Sequence, residues 1–223
     1  MYRRLSYTLQ VSDRGYPGAP TMRIEEFESM SKGDQLNTYN VTIFNHFGTH
    51  MDGPFHFNAR GSMLFEQELS TFISERPLLL DIPKKSGEMV EPEDLIPSAE
   101  RIRKADMLFL RSGFGHLRKV DNRLYAEEGP AVSSRAAQWL TGNFQNLKAI
   151  GIDWISLASP LHAEDGVKSH QIMLGKFGAK PILIIEDVDL ENVDANSLRK
   201  VFVFPLFIAG IDSAPVTILA EIR

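Results

Sequence analysis

The stretch that decides how this chain is built runs from residue 46 to residue 56 and reads His-Phe-Gly-Thr-His-Met-Asp-Gly-Pro-Phe-His. It holds three of the six histidines of the 223-residue chain, together with an aspartate. Imidazole and carboxylate groups are common protein ligands of Zn²⁺ and Mn²⁺. We therefore interpret this stretch as a metal-binding and catalytic centre, and the rest of the chain as the frame that holds it.

The spacing inside the stretch requires the chain to bend. Its four candidate ligands share one parity and would face one side of a straight strand: His46, His50, Asp52 and His56. On such a strand His46 and His50 would lie about 13 Å apart, whereas metal–nitrogen bonds measure about 2.0–2.1 Å. Gly48 permits a bend because it has no Cβ, and a single helical turn would also bring positions i and i+4 together. Gly53-Pro54 then stops any helix and directs His56.

Composition excludes several classes of protein. The net charge of −5 disfavours nucleic acid as a partner, because nucleic-acid backbones are bound mainly through Lys and Arg. Cysteine is absent, so any metal must be held by His, Asp, Glu and water. The basic N-terminus has no apolar run behind it, and Val201–Ile211 is far shorter than the roughly 20 residues that span a bilayer. We expect a cytoplasmic protein without membrane contact.

Hydrophobic patterning predicts the frame. Extended segments are expected at residues 5–10, 22–27, 36–44, 77–82, 107–110, 149–153, 181–186, 201–208 and 216–222. Helices are expected at residues 68–73, at 133–144 behind a serine cap, and at 170–177 behind Ser169, whereas His116–Pro130 reads as a long polar loop. Strands alternate with helices in the second half of the chain. This predicts one α/β domain over residues 1–223 with a mixed sheet.

The motif His-x-Gly-Thr-His-x-Asp-x-Pro-x-His at 46–56 resembles the signature of the cyclase family of metal-dependent hydrolases, which includes kynurenine formamidase and isatin hydrolase. All seven fixed positions match. Weaker likenesses follow downstream: residues 110–114, 151–153, 170–174, 184–186 and 214–216. Two departures are Ser156-Leu157-Ala158, where the family often has Ser-x-Asp, and a longer interval between His170 and Glu186.

The resemblance implies a swivelling β/β/α fold, assembly into homodimers or homotetramers, and hydrolysis of an amide. By motif position it implies that His46, His50 and Asp52 are ligands of a first divalent ion, Zn²⁺ or Mn²⁺. His170 and Glu186, at the weaker motifs, are implied as further site residues, so that one or two ions could be bound. The formamidase likeness also implies a place in tryptophan catabolism.

The role of His56 is open between a second-metal ligand and a proton-transfer residue, a task for which histidine is the usual side chain. Glu186 is the second proton-transfer candidate, more so if burial raises its pKa. The predicted function is cleavage of a C–N amide bond in a small aromatic or N-formyl substrate by activated water. The alternatives are ring opening of a lactam or cyclic imide, and a non-catalytic protein that binds a small molecule through a metal.

Overall fold

Two kinds of strand pairing meet in the main sheet of the computed structural model, which describes residues 1–223. The strands are β1 (Tyr2–Arg4), β2 (Arg23–Glu28), β3 (Thr38–Thr42), β4 (His50–Asp52), β5 (Ile73–Ser74), β6 (Pro77–Asp81), β7 (Met89–Val90), β8 (Met107–Arg111), β9 (Ala131–Val132), β10 (Ala149–Ile152), β11 (Leu183–Glu186), β12 (Leu198–Pro205) and β13 (Ser213–Ile222). The α-helices are α1 (Pro92–Leu95), α2 (Ala99–Lys104), α3 (Leu117–Val120), α4 (Asn122–Glu127), α5 (Ser134–Asn143) and α6 (Ala163–Met173). None of them is both long enough and apolar enough to cross a membrane.

The main sheet has the order β5-β12-β13-β4-β11-β10-β8-β6, and β1 pairs with β13 beside this path. Strands β6, β8, β10 and β11 run parallel, whereas β4, β5, β12 and β13 pair antiparallel with their neighbours. Strand β4 joins the two halves, with β11 on one side and β13 on the other. The predicted α/β class with a mixed sheet is confirmed.

Side-chain alternation along the parallel strands supplies two separate cores. In β8, Leu108 and Leu110 join a cluster that packs against the helices, whereas Met107 and Phe109 join a cluster enclosed between the two halves of the sheet. Successive residues of a strand face opposite sides, so a solidly apolar strand is buried on both faces. Gly151 of β10 leaves room for the Phe109 ring, which a Cβ there would approach to 2.5 Å.

Helix α5 forms where its cap and apolar face predict it. The Ser133 hydroxyl accepts a hydrogen bond from the Ala136 amide at 3.0 Å, and Ala136, Ala137 and Leu140 are buried. Helix α6, by contrast, begins at Ala163, after a 3-10 turn that opens with Pro160. Ser169 is therefore inside this helix, and the prediction that it caps a helix from residue 170 is wrong.

Two further local predictions are wrong. The segment His116–Pro130, predicted as a loop, contains α3 and α4, and the Asp121 side chain caps α4 by accepting from the Leu124 amide at 3.0 Å. Residues 5–10 form no strand beyond an isolated bridge between Ser6 and Val188. The local pattern of both segments was too weak to specify their structure, because intrinsic propensities are readily overridden by tertiary contacts.

Candidate metal centre

Strand β4 supplies two candidate ligands to the face that packs against the helices. His50 lies opposite Glu186 of β11 and Asp52 lies opposite Ile184. His50, Asp52 and Glu186 therefore share a face, because paired residues in a sheet point to the same side. His170, in the last turn of α6, lies against them, and all four side chains are buried.

The remaining two histidines of the motif come from the turns that flank β4. His46 precedes the strand in a turn in which Gly48 takes φ +68°, a left-handed conformation that favours glycine, so the predicted bend is confirmed. His56 follows the strand in a 3-10 turn, Pro54–His56. Gly53-Pro54 therefore starts this turn. A Cβ at residue 53 would lie 2.9 Å from the Asp212 carbonyl oxygen.

Two buried imidazoles have one nitrogen engaged and one left for a ligand. His50 donates from Nδ1 to the Gly48 carbonyl at 2.8 Å, and His170 donates from Nδ1 to the Gly166 carbonyl at 2.8 Å. A carbonyl only accepts, so Nδ1 carries a proton in both rings, and Nε2 is the nitrogen that could offer a lone pair to a metal ion. The His50 Nε2 lies 3.2 Å from Glu186 Oε2, and the His170 Nε2 lies 3.4 Å from Glu186 Oε1.

Asp212, between Ile211 and β13, holds the other two histidines. Its Oδ2 accepts from His46 Nε2 at 2.9 Å and from His56 Nδ1 at 2.6 Å, and its Oδ1 accepts from the Asn45 amide at 2.7 Å. His46 thereby turns Nδ1 toward Asp52 Oδ1, 3.0 Å away. A carboxylate that orients a metal-binding histidine through its second nitrogen is a common arrangement around metal sites.

These contacts leave acceptor atoms facing one another with no positive charge between them. His50 Nε2 and both carboxylate oxygens of Asp52 are buried without a hydrogen-bond partner. Unpaired buried polar atoms cost free energy, and lone pairs at 3.0–3.5 Å from each other repel unless a proton or a cation lies among them. Bond lengths of about 2.0–2.1 Å with tetrahedral angles place ligand atoms about 3.3 Å apart. The residues present therefore fit a divalent ion.

The donor atoms form two groups that share Asp52: His46 with His56, and His50 with Glu186. Within each group the donor atoms lie within 4.8 Å of one another. This arrangement is compatible with one ion or with two ions on either side of the Asp52 carboxylate.

Without a metal, protons take the place of the cation. Burial lowers the pKa of His46, but its hydrogen bonds with Asp212 and its contact with Asp52 outweigh that effect and raise the pKa to about 10. Burial and Asp52 raise the pKa of Glu186, but the neighbouring His170 and His50 imidazoles outweigh both effects and lower it to about 2. Glu186 is therefore an anion at neutral pH, which suits a metal ligand better than a proton donor.

The model of the family described as "Putative cyclase" matches residues 4–159, more than half of the chain. This chain belongs to the cyclase family. An uncharacterized protein of Haemophilus influenzae is 36% identical over 110 residues, which are 49% of this chain and 78% of that protein. The kynurenine formamidase of Delftia acidovorans is 25% identical over 219 residues, 97% of this chain and 96% of the enzyme.

The structure of isatin hydrolase A from Labrenzia aggregata, bound to benzyl benzoate, superposes with a TM-score of 0.83 at 17% sequence identity. The match covers 100% of this chain and 94% of the isatin hydrolase chain. At this identity the likeness establishes the fold, and it confirms the swivelling β/β/α architecture of cyclase-family proteins.

In this cyclase-family chain the candidate metal centre opens onto a largely apolar cavity of about 410 Å³. Its walls include Tyr16, Phe44, Phe57, Ile155 and Val167, and no Lys or Arg lines it. The volume lies in the range of small-molecule sites, which are about 300–1,000 Å³. Phe44 and Phe57 are therefore pocket residues.

The departures from the cyclase pattern have visible consequences. Ala158 lines the cavity and packs so closely on Gly166 of α6 that no side chain would fit at residue 166 without a shift. Ser156 donates from Oγ to Glu186 Oε1 at 3.1 Å, and the Leu157 amide donates to the same oxygen at 2.6 Å. This segment thus fixes the Glu186 carboxylate.

Sequence reasoning missed Asp212. No motif marks it, and only the pairing of β13 with β4 brings it beside the histidines. The other two histidines do not join the site: His116 donates to the Gly113 carbonyl, and His162 to that of Gly87. Asp153, also considered from the sequence, accepts from Ser112 and shapes the loop after β8.

Proposed function

We propose that this chain is a metal-dependent hydrolase that cleaves the C–N bond of a small aromatic or N-formyl amide with activated water. One observation carries the proposal. Ring nitrogens of His46, His50 and His170 converge on the buried carboxylates of Asp52 and Glu186, beside a cavity with aromatic walls.

In this proposal His46, His50 and Asp52 hold the first ion, and His170 and Glu186 complete that site or hold a second ion. A bound Zn²⁺ or Mn²⁺ supplies a Lewis acid for the substrate carbonyl and lowers the pKa of water to about 7. The Ser156 hydroxyl and the Leu157 amide both donate to Oε1 of Glu186, so the carboxylate keeps a fixed direction.

His56 is the proposed proton-transfer residue. Its Nδ1–H is engaged by Asp212 at 2.6 Å, so Nε2 is the basic nitrogen, and the ring borders the cavity. His56 can accept a proton from the attacking water at Nε2 and return it to the leaving nitrogen. Asp212 fixes the tautomer and stabilises the imidazolium that forms, as carboxylates do beside catalytic histidines.

A second candidate is ring opening of a neutral lactam or cyclic imide. The cavity wall favours it because no Lys or Arg is available to pair with a substrate carboxylate. N-Formylkynurenine carries such a carboxylate and isatin does not. Comparing kcat/KM for the two therefore separates the candidates.

The proposed function is tested by metal analysis and turnover together. Purified protein should bind Zn²⁺ or Mn²⁺, and hydrolysis of N-formylkynurenine, formanilide or isatin should stop with a chelator and return with metal. His50→Ala should lose both metal and turnover. Full activity in metal-free protein would contradict the mechanism, and tight metal binding without turnover of any amide would favour a binding protein.

We also propose that the chain forms a homodimer or homotetramer. The hairpin of β2 and β3 supports this, because Ile24, Tyr39 and Val41 lie on one of its faces and are 50–56% exposed. An isolated two-stranded hairpin is marginally stable in water. Light scattering should give a mass of two or four chains; a monomer at every concentration would contradict it.

A further inference from the structure

A buried ion cluster lies outside the residues assigned to catalysis. Its centre is Arg118 of α3, whose side chain is 8% exposed. The guanidinium donates from Nε to both oxygens of Asp187, at 2.9 and 3.0 Å, and from a terminal nitrogen to Asp13 at 3.1 Å. The Tyr125 hydroxyl donates to Asp187 at 2.6 Å, and the ring of Tyr7 lies 4.2 Å from the guanidinium carbon.

One end of this cluster holds the turn that follows Glu186. Asp187 has φ +55°, a left-handed conformation that costs a non-glycine residue about 1–3 kcal/mol unless its surroundings hold it. Its carbonyl accepts from the Thr49 hydroxyl at 2.6 Å, and its amide donates to the Trp154 carbonyl at 3.0 Å. Arg118 thus fixes a strained residue adjacent to Glu186 and bonded to the residue before His50.

The other end of the cluster holds a wall of the cavity. Asp13 is buried, and its carboxylate also accepts from the Gln10 amide at 3.0 Å. Three residues further on, Tyr16 and then Pro17 and Ala19 line the cavity. This wall belongs to a loop without regular secondary structure. The buried ion pair between Arg118 and Asp13 attaches that loop to the rest of the protein.

We propose that Arg118 is a positioning residue that fixes the cavity wall, through Asp13, and the turn of the metal ligand Glu186, through Asp187. The inference rests on the proposed function. It predicts separable effects: loosening the Asp13 end changes substrate binding, and loosening the Asp187 end changes metal binding. A cluster that only stabilises the fold would change neither.

Three variants and one control test this. Asp13→Asn keeps shape and leaves the Arg118–Asp187 pair intact; KM should rise about tenfold, with kcat and the Kd for Zn²⁺ within about twofold of wild type. Arg118→Met should raise both KM and the Kd for Zn²⁺, each about tenfold or more. Arg118→Lys keeps the positive charge but not the forked geometry of the guanidinium, so KM and the Kd for Zn²⁺ should rise less than in Arg118→Met.

Lys119→Met is the matched control, because Lys119 is exposed and pairs only with Glu191 on the surface. It should leave KM, kcat and Zn²⁺ affinity unchanged. If Arg118→Met does not fold, Asp13→Asn still decides the cavity-wall half. Variants that lose thermal stability but keep wild-type KM and Zn²⁺ affinity per folded molecule would overturn the inference.

The wild-type arm separates this inference from the proposed function. Zn²⁺ binding is measured by calorimetry with the metal alone, and KM with whichever amide the wild type hydrolyses fastest. Wild-type protein that binds no Zn²⁺ and hydrolyses nothing would overturn the proposed function and the inference with it. Wild-type protein that binds Zn²⁺ without turnover would overturn hydrolysis alone, and the Zn²⁺ affinity of Arg118→Met would then decide the inference.

Discussion

Asp212→Asn tests whether one carboxylate sets the protonation of two histidines at once. Its Oδ2 receives N–H groups from both His46 and His56, and its Oδ1 receives the Asn45 amide. An asparagine keeps the shape but has one acceptor oxygen, so an NH₂ group must face either the two imidazoles or the Asn45 amide. Both arrangements place donors against donors.

The expected magnitude follows from these bonds. Hydrogen bonds to a charged acceptor contribute about 1.5–3 kcal/mol each, and 1.4 kcal/mol is a factor of ten. If His56 turns its proton to Nε2, the proposed base is lost, and we expect kcat/KM to fall by about 10²–10³. If His46 turns its proton to Nδ1, the Kd for Zn²⁺ should rise about 10–100-fold.

The assay measures both quantities on the same preparation: Zn²⁺ affinity by calorimetry, and kcat/KM at saturating metal. Asp81→Asn, which removes a partly exposed ion pair with Arg111, is the control and should change neither. Asp212→Asn with both quantities within about twofold of wild type would refute the assignment of Asp212 as the residue that orients the two imidazoles.

Four further outcomes are expected. Saturating Zn²⁺ should stabilise the protein by about 2.7 kcal/mol at 100 times its Kd, read as a rise in Tm, and a chelator should remove that gain; an unchanged Tm would contradict a metal site in the native state. In the chelated protein, the proton that His46 holds stabilises the fold fully below the ordinary histidine pKa of 6.5, and this stabilisation is lost as the pH rises through about 10; the free energy of unfolding should fall over that interval. The same proton competes with a metal ion, so Zn²⁺ binding should release protons and should weaken as the pH falls. Calorimetry in two buffers measures the proton release. Gly151→Ala places a Cβ 2.5 Å from the Phe109 ring and should cost about 1–3 kcal/mol in urea unfolding, with Phe109→Leu recovering part; a neutral substitution would contradict the packing. Asp106→Asn should cost about 2–3 kcal/mol at pH 7, because Asp106 accepts from the Ser74 hydroxyl and two backbone amides. These bonds outweigh burial and hold the pKa of Asp106 below its ordinary value, so the difference from wild type should begin to shrink as the pH falls below about 4. Urea unfolding at pH 7 and pH 3 checks this, and an equal difference at both values would contradict it.

Much of the frame was predictable because its signals are local. Strands β8, β10 and β11 are short apolar runs bounded by polar residues, and helix α5 has both its serine cap and its apolar face. The predicted bend at Gly48 followed from metal–nitrogen bond lengths, on the premise that His46 and His50 share an ion, and from the missing Cβ of glycine. These features need only neighbouring residues to be recognised.

The site was only partly predictable because its remaining members depend on distant pairing. Asp212 lies 160 residues after Asp52, and it reaches the site only because Ser213 pairs with Asp52. Helices α3 and α4 were missed because Arg118 and Asp121 read as polar loop residues, whereas one is buried in an ion cluster and the other caps a helix. His170 lies in the last turn of α6 and not in the first, because the turn that precedes the helix opens at Pro160 and the helix itself begins at Ala163.

The place of β4 between β11 and β13 also determines when the site can exist during synthesis. Residues 50–52 leave the ribosome early, but both strands that flank them lie much later in the sequence, within residues 183–222. Until residues 183–222 have been made, an emerging chain holds the histidine motif without the strands that bring Glu186 and Asp212 to it. Pairings this distant in sequence form late, because closing a long loop costs entropy before any contact is gained. The donor atoms of the candidate site therefore come together only after residues 183–222 have emerged, and a shorter nascent chain has no preformed cage for a metal ion.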